Sequence, residues 1–273
     1  MRLLVAPPAT PRLLLLIVLA GSLHCRVRAC CKAQFLRRHN LTNTAVATNT
    51  TGLTLDEGRR AHILSAISFV PGVLFDDPGA LRLEFGVRNG KMINFMSTQP
   101  AARRYLDPSR GTHVDSGLLA PWDGFDSFQG LPKATANARA LGWTGGKYSV
   151  RGELPTVPPH VRLHVGWFNE TLPPFLDSPS GRGPVAFAHL DADVYTSTIQ
   201  VLDAIGTRCR LRLGTVLAFD EIFGPPRIQE EELRALQEAA HKYGFTYRFI
   251  TYLNHPKTNF GRAAVQITGV APC

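Results

Sequence analysis

What most constrains this chain is a succession of short, almost wholly apolar runs set apart by stretches of helical periodicity. Leu81 to Val87, Val161 to Val165, Val185 to Leu190 and Thr215 to Phe219 read as strands, with Leu118 to Phe125 as a further one. Between them, apolar residues at Ala61, Ile63, Leu64, Ile67 and Phe69 mark a helix from Asp56 that Pro71-Gly72 stops. Lys91 to Met96, Thr196 to Ile205 and Gln229 to His241 read as helices too. Strands that are apolar on both faces and alternate with helices require a mostly parallel sheet with helices on both sides. Phe245 to Tyr252 and Ala263 to Thr268, joined by a short loop, read as a closing antiparallel pair. The expected class is therefore α/β. In such sheets ligands bind beyond the carboxyl ends of the strands, so the chemistry is sought there.

Charge refines the picture. The 273 residues carry a formal charge of +9, which by itself suggests nucleic acid or an anionic membrane. Its distribution argues otherwise. No acid precedes Asp56, while Arg2, Arg12, Arg26, Arg28, Lys32, Arg37 and Arg38 lie before it, leaving 23 basic residues against 21 acidic ones beyond. The body is nearly neutral, and no nucleic-acid partner is expected. Arg2 and Arg12, the apolar run Leu13 to Ala20 and the small residues Gly21 and Ser22 follow the order of a secretory signal peptide, the alternatives being an uncleaved anchor or an organelle transit peptide. The expected organisation is a signal peptide over 1–24, a basic Thr/Asn-rich linker over 25–55 and one domain over 56–273. A secretory or secreted location follows, with membrane contact only through an uncleaved leader. Asn40, Asn49 and Asn169 stand in glycosylation acceptor patterns. Five cysteines with no Cys-x-x-Cys pair indicate neither a zinc site nor a disulfide scaffold.

Three groups of residues stand at the strand ends. Glu84-Phe85-Gly86-Val87-Arg88-Asn89-Gly90-Lys91 has two glycines that let the backbone turn tightly against a ligand. It matches neither the dinucleotide pattern nor a Walker loop, and a plain strand-to-helix turn accounts for it equally. Asp126-Ser127 follows the next strand, where an acid holds a ribose or caps a turn. Asp191-Ala192-Asp193 and Asp220-Glu221 follow two further strands. Converging carboxylates suit Mg²⁺, Mn²⁺ or Ca²⁺ better than zinc, and helix capping explains only one of them.

Glu84-Phe85-Gly86-Val87, Gly124-Phe125-Asp126-Ser127-Phe128, Gly166-Trp167-Phe168-Asn169-Glu170-Thr171-Leu172-Pro173, Leu190-Asp191-Ala192-Asp193-Val194-Tyr195 and Phe219-Asp220-Glu221, in this order, resemble the macrocin O-methyltransferase (TylF-like) family of class I S-adenosylmethionine enzymes. The resemblance spans roughly Leu81 to Thr268. It implies a Rossmann-like, mostly parallel seven-stranded sheet with an antiparallel last strand, and it makes residues 56–273 a methyltransferase domain. It also implies that Glu84, Gly86, Gly90, Asp126 and Ser127 hold S-adenosylmethionine. Asp191, Asp220 and Glu221 match the metal positions, for Mg²⁺ or Mn²⁺, and Asp193 matches a general base. Two departures stand out: Glu221 where an Asp is usual and, in the loop read over Gly166 to Pro173, Asn169 where an Asp is common, the latter creating an acceptor pattern expected to stay unmodified beside the pocket.

The expected activity is metal-assisted O-methylation of a small-molecule or carbohydrate hydroxyl, with oligomeric state open; the substrate-recognition loops are expected over Asp107 to Trp122 and Gly224 to Glu230, which carry no decisive signature. Two other classes compete. A secretory-pathway glycosyltransferase would use Asp191-Ala192-Asp193 to hold a metal and a nucleotide sugar, but leaves the Gly86 turn and Asp220-Glu221 idle. A non-catalytic secreted binding module would leave four carboxylates repelling one another.

Overall fold

A computed structural model of the chain describes residues 31–49, 51–99, 105–107, 112–114, 120–254, 258 and 260–273. The expected signal peptide lies outside them. In chain order the elements are α1 (31–38), α2 (Leu41–Thr44), β1 (Val46–Ala47), α3 (Leu55–Ile67), α4 (Gly72–Phe75), β2 (Leu81–Phe85), α5 (Lys91–Ser97), β3 (Tyr105–Asp107), β4 (Thr112–Val114), β5 (Trp122–Asp126) and α6 (Ala136–Ala140). There follow β6 (Val161–Val165), α7 (Phe168–Asp177), β7 (Val185–Leu190), α8 (Tyr195–Thr207), β8 (Val216–Phe223), α9 (Pro226–Ile228), α10 (Arg234–Tyr243), β9 (Phe245–Leu253) and β10 (Gly261–Val270).

The main sheet has eight strands in the order β1-β9-β10-β8-β7-β2-β5-β6. All neighbours are parallel except β10, which runs antiparallel to both β8 and β9. Seven strands were expected; β1, pairing Val46 and Ala47 with Thr251 and Tyr252, is the eighth. Strand order reverses between β2 and β7, so the crevice where ligands bind in this architecture lies above Phe85 and Leu190.

β2, β7 and β8 are buried along their whole length, the charged or titratable Arg82, Glu84, His189, Asp220 and Glu221 together with their apolar residues. One face packs Phe85, Phe125, Leu190 and Phe219 against Leu172, Leu176, Val201, Leu202 and Leu236 from α7, α8 and α10. The other packs Trp122, Phe187, Val216 and Ile250 against Ile63, Ile67, Ile93 and Met96 from α3 and α5. α3 starts in a full capping box, Thr54 Oγ1 accepting from Glu57 N while Glu57 accepts from Thr54 N.

Residues 31–47, inside the stretch read as linker, pack against the sheet. Phe35 and Leu41 are buried, and the Phe35 ring stacks on Phe223 with centroids 4.9 Å apart. Cys209 and Cys273 form a disulfide, Cα atoms 6.1 Å apart, which the cysteine spacing did not suggest.

Three expectations about elements need correction. Asp220 and Glu221 sit inside β8 rather than after it, because pairing with β10 carries the strand on to Phe223. Phe168–Asp177 is a helix despite Pro173 and Pro174, where the sequence was read as a loop. The helix expected from Gln229 opens with a wide π turn over Gln229–Leu233 and becomes α-helical only at Arg234. Of the 107–122 stretch expected to meet substrate, residues 108–111 and 115–119 lie outside the described residues, and 112–114 pairs with 105–107 in a separate two-stranded sheet.

Candidate active site

A cavity of about 540 Å³ opens at the crevice between β2 and β7, within the range of small-molecule sites. Gly86, Arg88, Asp126, Ser127, Asp191, Asp193, Asp220 and Glu221 all reach it, with Trp167 to Glu170 along another wall.

The glycine turn is fixed by its neighbours. Gly86 has φ +94°, its N–H donates to Phe125 O at 3.0 Å, and a Cβ there would fall 2.0 Å from the Asp191 carbonyl oxygen. No other residue type fits that close approach at that φ. Gly90 has φ +75° and starts α5 away from the cavity, where a Cβ would stand 2.8 Å from Pro155. Asp126 ties the two loops together, Oδ2 accepting from Arg88 N and Oδ1 from Phe128 N, each at 2.7 Å. Burial pushes its pKa up. Ser127 is satisfied locally, donating to Gly130 O and accepting from Gln129 N. Glu84 lies beneath the cavity rather than on it. It is 1% exposed and pairs with His189 Nδ1 at 3.1 Å, and its Oε2 has no hydrogen-bond partner. Burial raises its pKa, while the His189 hydrogen bond opposes the shift.

The acids do converge. One oxygen from each of Asp191, Asp220 and Glu221 lies within 4.8 Å of the others. The cations facing them were not anticipated. Arg262, on β10, grips Asp220 with Nε at 2.7 Å from Oδ1 and Nη2 at 3.0 Å from Oδ2. Arg59, on α3, brings Nε to 2.8 Å from Asp220 Oδ1 and donates through Nη2 to Asp191 Oδ2. His189 Nε2 stands 3.9 Å from Asp220. Burial resists charge on Asp220, yet Arg262 and then Arg59 hold its pKa well below the usual carboxylate range. Burial would lower the His189 pKa, but Asp220 and Glu84 raise it to about 9.

The remaining acids are pushed the other way. Burial, reinforced by Asp191, raises Asp193 well above the ordinary aspartate value, and burial with Asp220 does the same for Glu221. Asp193 holds its place at φ +59° just before α8.

Two glutamates from the π turn complete the site. Glu232 is fully buried and accepts from Ala192 N at 3.3 Å and Glu221 N at 3.0 Å, bracing the turn after β7 and the acid-bearing part of β8. Burial lifts its pKa to about 8. Glu231 accepts from Tyr195 N at 2.6 Å and from Asn137 Nδ2 at 2.7 Å.

Asp191, Asp220 and Glu221 offer a hard divalent cation three oxygens, and the buried Glu221 Oε2 has no hydrogen-bond partner. The donor set fits such an ion. Arg59 already pairs with two of these three acids, Asp191 and Asp220.

Sequence reasoning missed Arg59, Arg262, His189, Glu231 and Glu232. A lone Arg or His in an apolar strand is a readable sign of a buried counter-ion, and Gly261-Arg262-Ala263-Ala264-Val265 and Ala188-His189-Leu190 both carry it. Glu230-Glu231-Glu232 has the look of a solvated charge run.

No protein-family model matches the chain, and no curated protein matches it. Solved structures do. CalS11, a calicheamicin methyltransferase, is 23% identical over 86% of this chain and 91% of its own, with a TM-score of 0.50. The chain has the fold of that methyltransferase, an α/β sheet with antiparallel C-terminal strands. The O-methyltransferase NovP aligns over 91% of this chain and 99% of its own at 20% identity and a TM-score of 0.47.

Proposed function

We propose that this chain is an S-adenosylmethionine-dependent O-methyltransferase of the macrocin O-methyltransferase (TylF-like) kind, acting on a hydroxyl of a small molecule or sugar. One observation carries the reading: the Gly86 turn, the Asp126 loop and the converging acids open into a single cavity at the point where strand order reverses. A glycosyltransferase using only Asp191 and Asp193 gives the Gly86 turn and Asp126 no task. CalS11, a TDP-rhamnose 3'-O-methyltransferase by name, makes a sugar hydroxyl a reasonable first acceptor to try.

S-adenosylmethionine, when bound, supplies an electrophilic methyl group on a sulfonium. The Gly86 turn, closed against the Asp191 carbonyl, brings backbone to the cavity wall, and Asp126, with backbone donors on one side of each oxygen, keeps lone pairs for a ribose hydroxyl. Asp191, Asp220 and Glu221 would hold a divalent cation, which supplies Lewis acidity and orientation to an acceptor hydroxyl. Asp193 takes the acceptor's proton on its carboxylate. Its upward-shifted pKa makes it a stronger base than an exposed aspartate. Holding the acceptor oxygen in line with the methyl group supplies much of the remaining acceleration.

Secretory entry is part of the proposal, supported by the leader's residue order and by the Cys209–Cys273 disulfide. Among the described residues no helix is long and apolar enough to cross a membrane. The activity is tested by incubating the protein with labelled S-adenosylmethionine and a panel of nucleotide sugars, free glycosides and catechols. Formation of S-adenosylhomocysteine only when a hydroxyl acceptor is present is expected. Transfer of a sugar from a nucleotide sugar would refute the reading.

A further inference from the structure

We infer that Arg59 is an internal cation occupying the metal position, so that a divalent ion and the Arg59 guanidinium are mutually exclusive partners of Asp191 and Asp220. This rests on the metal-site reading given above and deepens it.

The two arginines at the acids differ in kind. Arg262 is embedded in β10, its side chain 9% exposed, and it takes both oxygens of Asp220 in a two-pronged grip. It is a fixed counter-ion to one carboxylate. Arg59 spans two carboxylates, its side chain is 21% exposed, and it lines the cavity. Among the described residues it alone pairs with both Asp191 and Asp220, where an ion shared by both would sit, and it borders the open cavity. Glu221, 6% exposed with Oε2 unpartnered, is the third ligand left waiting.

Charge explains why such an arrangement persists. With neither an ion nor Arg59, Asp220 would keep its pair with Arg262 while Asp191, beside the buried acids Asp193, Glu221 and Glu232, would face no arginine. Burying that uncompensated charge is costly, and Arg59 removes the imbalance. A dication that displaces it satisfies the same carboxylates and adds Glu221 to the set. Metal affinity is thereby reduced by the work of expelling a competing cation. That reduction sets an ion-concentration threshold, and it releases a positive side chain into the acceptor cavity whenever the metal is bound.

The test uses Mn²⁺ alone, titrated into the full-length chain and followed by the electron paramagnetic resonance of the free ion. Melting temperature and S-adenosylmethionine binding check the fold of each variant. Arg59→Gln is expected to bind Mn²⁺ about ten-fold more tightly or better, since a charge within 4 to 6 Å shifts ionic equilibria by about one to three log units. Arg59→Lys, which keeps the charge, stays near wild type. Adding Glu221→Gln to Arg59→Gln abolishes the gain. In wild type, Mg²⁺ titration followed through arginine side-chain ¹⁵Nε resonances moves the Arg59 signal and leaves that of Arg262 in place, an outcome that needs no variant. Mn²⁺ binding that is equal in wild type and Arg59→Gln, or an Arg59 signal unmoved at Mg²⁺ saturation, overturns the competition while leaving the metal site standing. No binding by either protein overturns both. A gain that survives Glu221→Gln places the ion elsewhere and overturns the inference as well.

Discussion

Gly86→Ala adds one methyl group at the point where the cofactor turn meets the acid loop, and its cost can be worked from two separate terms. The first is backbone strain: φ is +94°, and a left-handed conformation costs a residue with a Cβ about 1–2 kcal/mol. The second is the clash. The new Cβ would lie 2.0 Å from the Asp191 carbonyl oxygen, and that carbonyl cannot swing away freely, because Asp191 N donates to Phe85 O at 2.8 Å and Phe85 pairs with Leu190 in the ladder. Parting β2 from β7 at this end costs at least that hydrogen bond, about 1 kcal/mol, with local repacking of about 1 kcal/mol more. A total near 3–4 kcal/mol lowers the melting temperature by roughly 10 °C for a domain of this size. Gly142→Ala separates the terms, since Gly142 has φ +79° but nothing within 4 Å of its would-be Cβ. It should cost only the strain, about 1 kcal/mol and a few degrees. Calorimetric melting of both variants, with S-adenosylmethionine titration, is the assay. A Gly86→Ala protein that melts no lower than Gly142→Ala and binds cofactor as wild type does would refute the reasoning.

Three other outcomes are expected. Asp193→Asn should slow methyl transfer by about 10² to 10⁴ with cofactor and Mn²⁺ binding retained, and raising the pH should recover part of the rate; lost Mn²⁺ binding would make Asp193 a ligand instead. Stability without added metal should fall as pH rises from about 6.5 to 9. His189, with its pKa raised to about 9, contributes fully below its unfolded value and loses that contribution on deprotonation. Glu232, raised to about 8, resists ionising in the fold and so works in the same direction. Glu232→Gln should flatten the fall in a melting series between pH 6 and pH 9, and an unchanged slope would count against this assignment. Cys209→Ser should lower stability by about 2–4 kcal/mol, the typical worth of a disulfide, here one closing a 64-residue separation, and the wild type in reductant should show the same loss.

Much of this architecture was legible because apolar strands declare themselves. Val185 to Leu190 stands as read because a strand buried on both faces admits little but apolar residues, and Val161 to Val165, a partly exposed edge strand, because Val161, Leu163 and Val165 alternate with Arg162 and His164. α7 was hidden by Pro173-Pro174, residues that usually end a helix. The length of β8 was hidden as well, because Asp220 and Glu221 look like a strand's end until a buried arginine on another strand is known to face them. The site residues Gly86, Asp126, Asp191, Asp193, Asp220 and Glu221 come together in one cavity, while Glu84 and Gly90 stand behind it. Local motifs placed the acids. The arginines that balance them reside in α3 and β10, 161 and 42 residues from Asp220, and only tertiary structure brings such distant partners together.

The central claim is that the Gly86 turn and Asp126 form a cofactor site. Isothermal titration of the purified full-length chain with S-adenosylmethionine, repeated with Asp126→Ala, tests it most directly. Saturable one-to-one binding by wild type, weakened at least about ten-fold in Asp126→Ala by loss of charge-assisted hydrogen bonds, is the predicted result. No heat with S-adenosylmethionine from a protein that melts cooperatively, or saturable binding of a nucleotide sugar in its place, would contradict it.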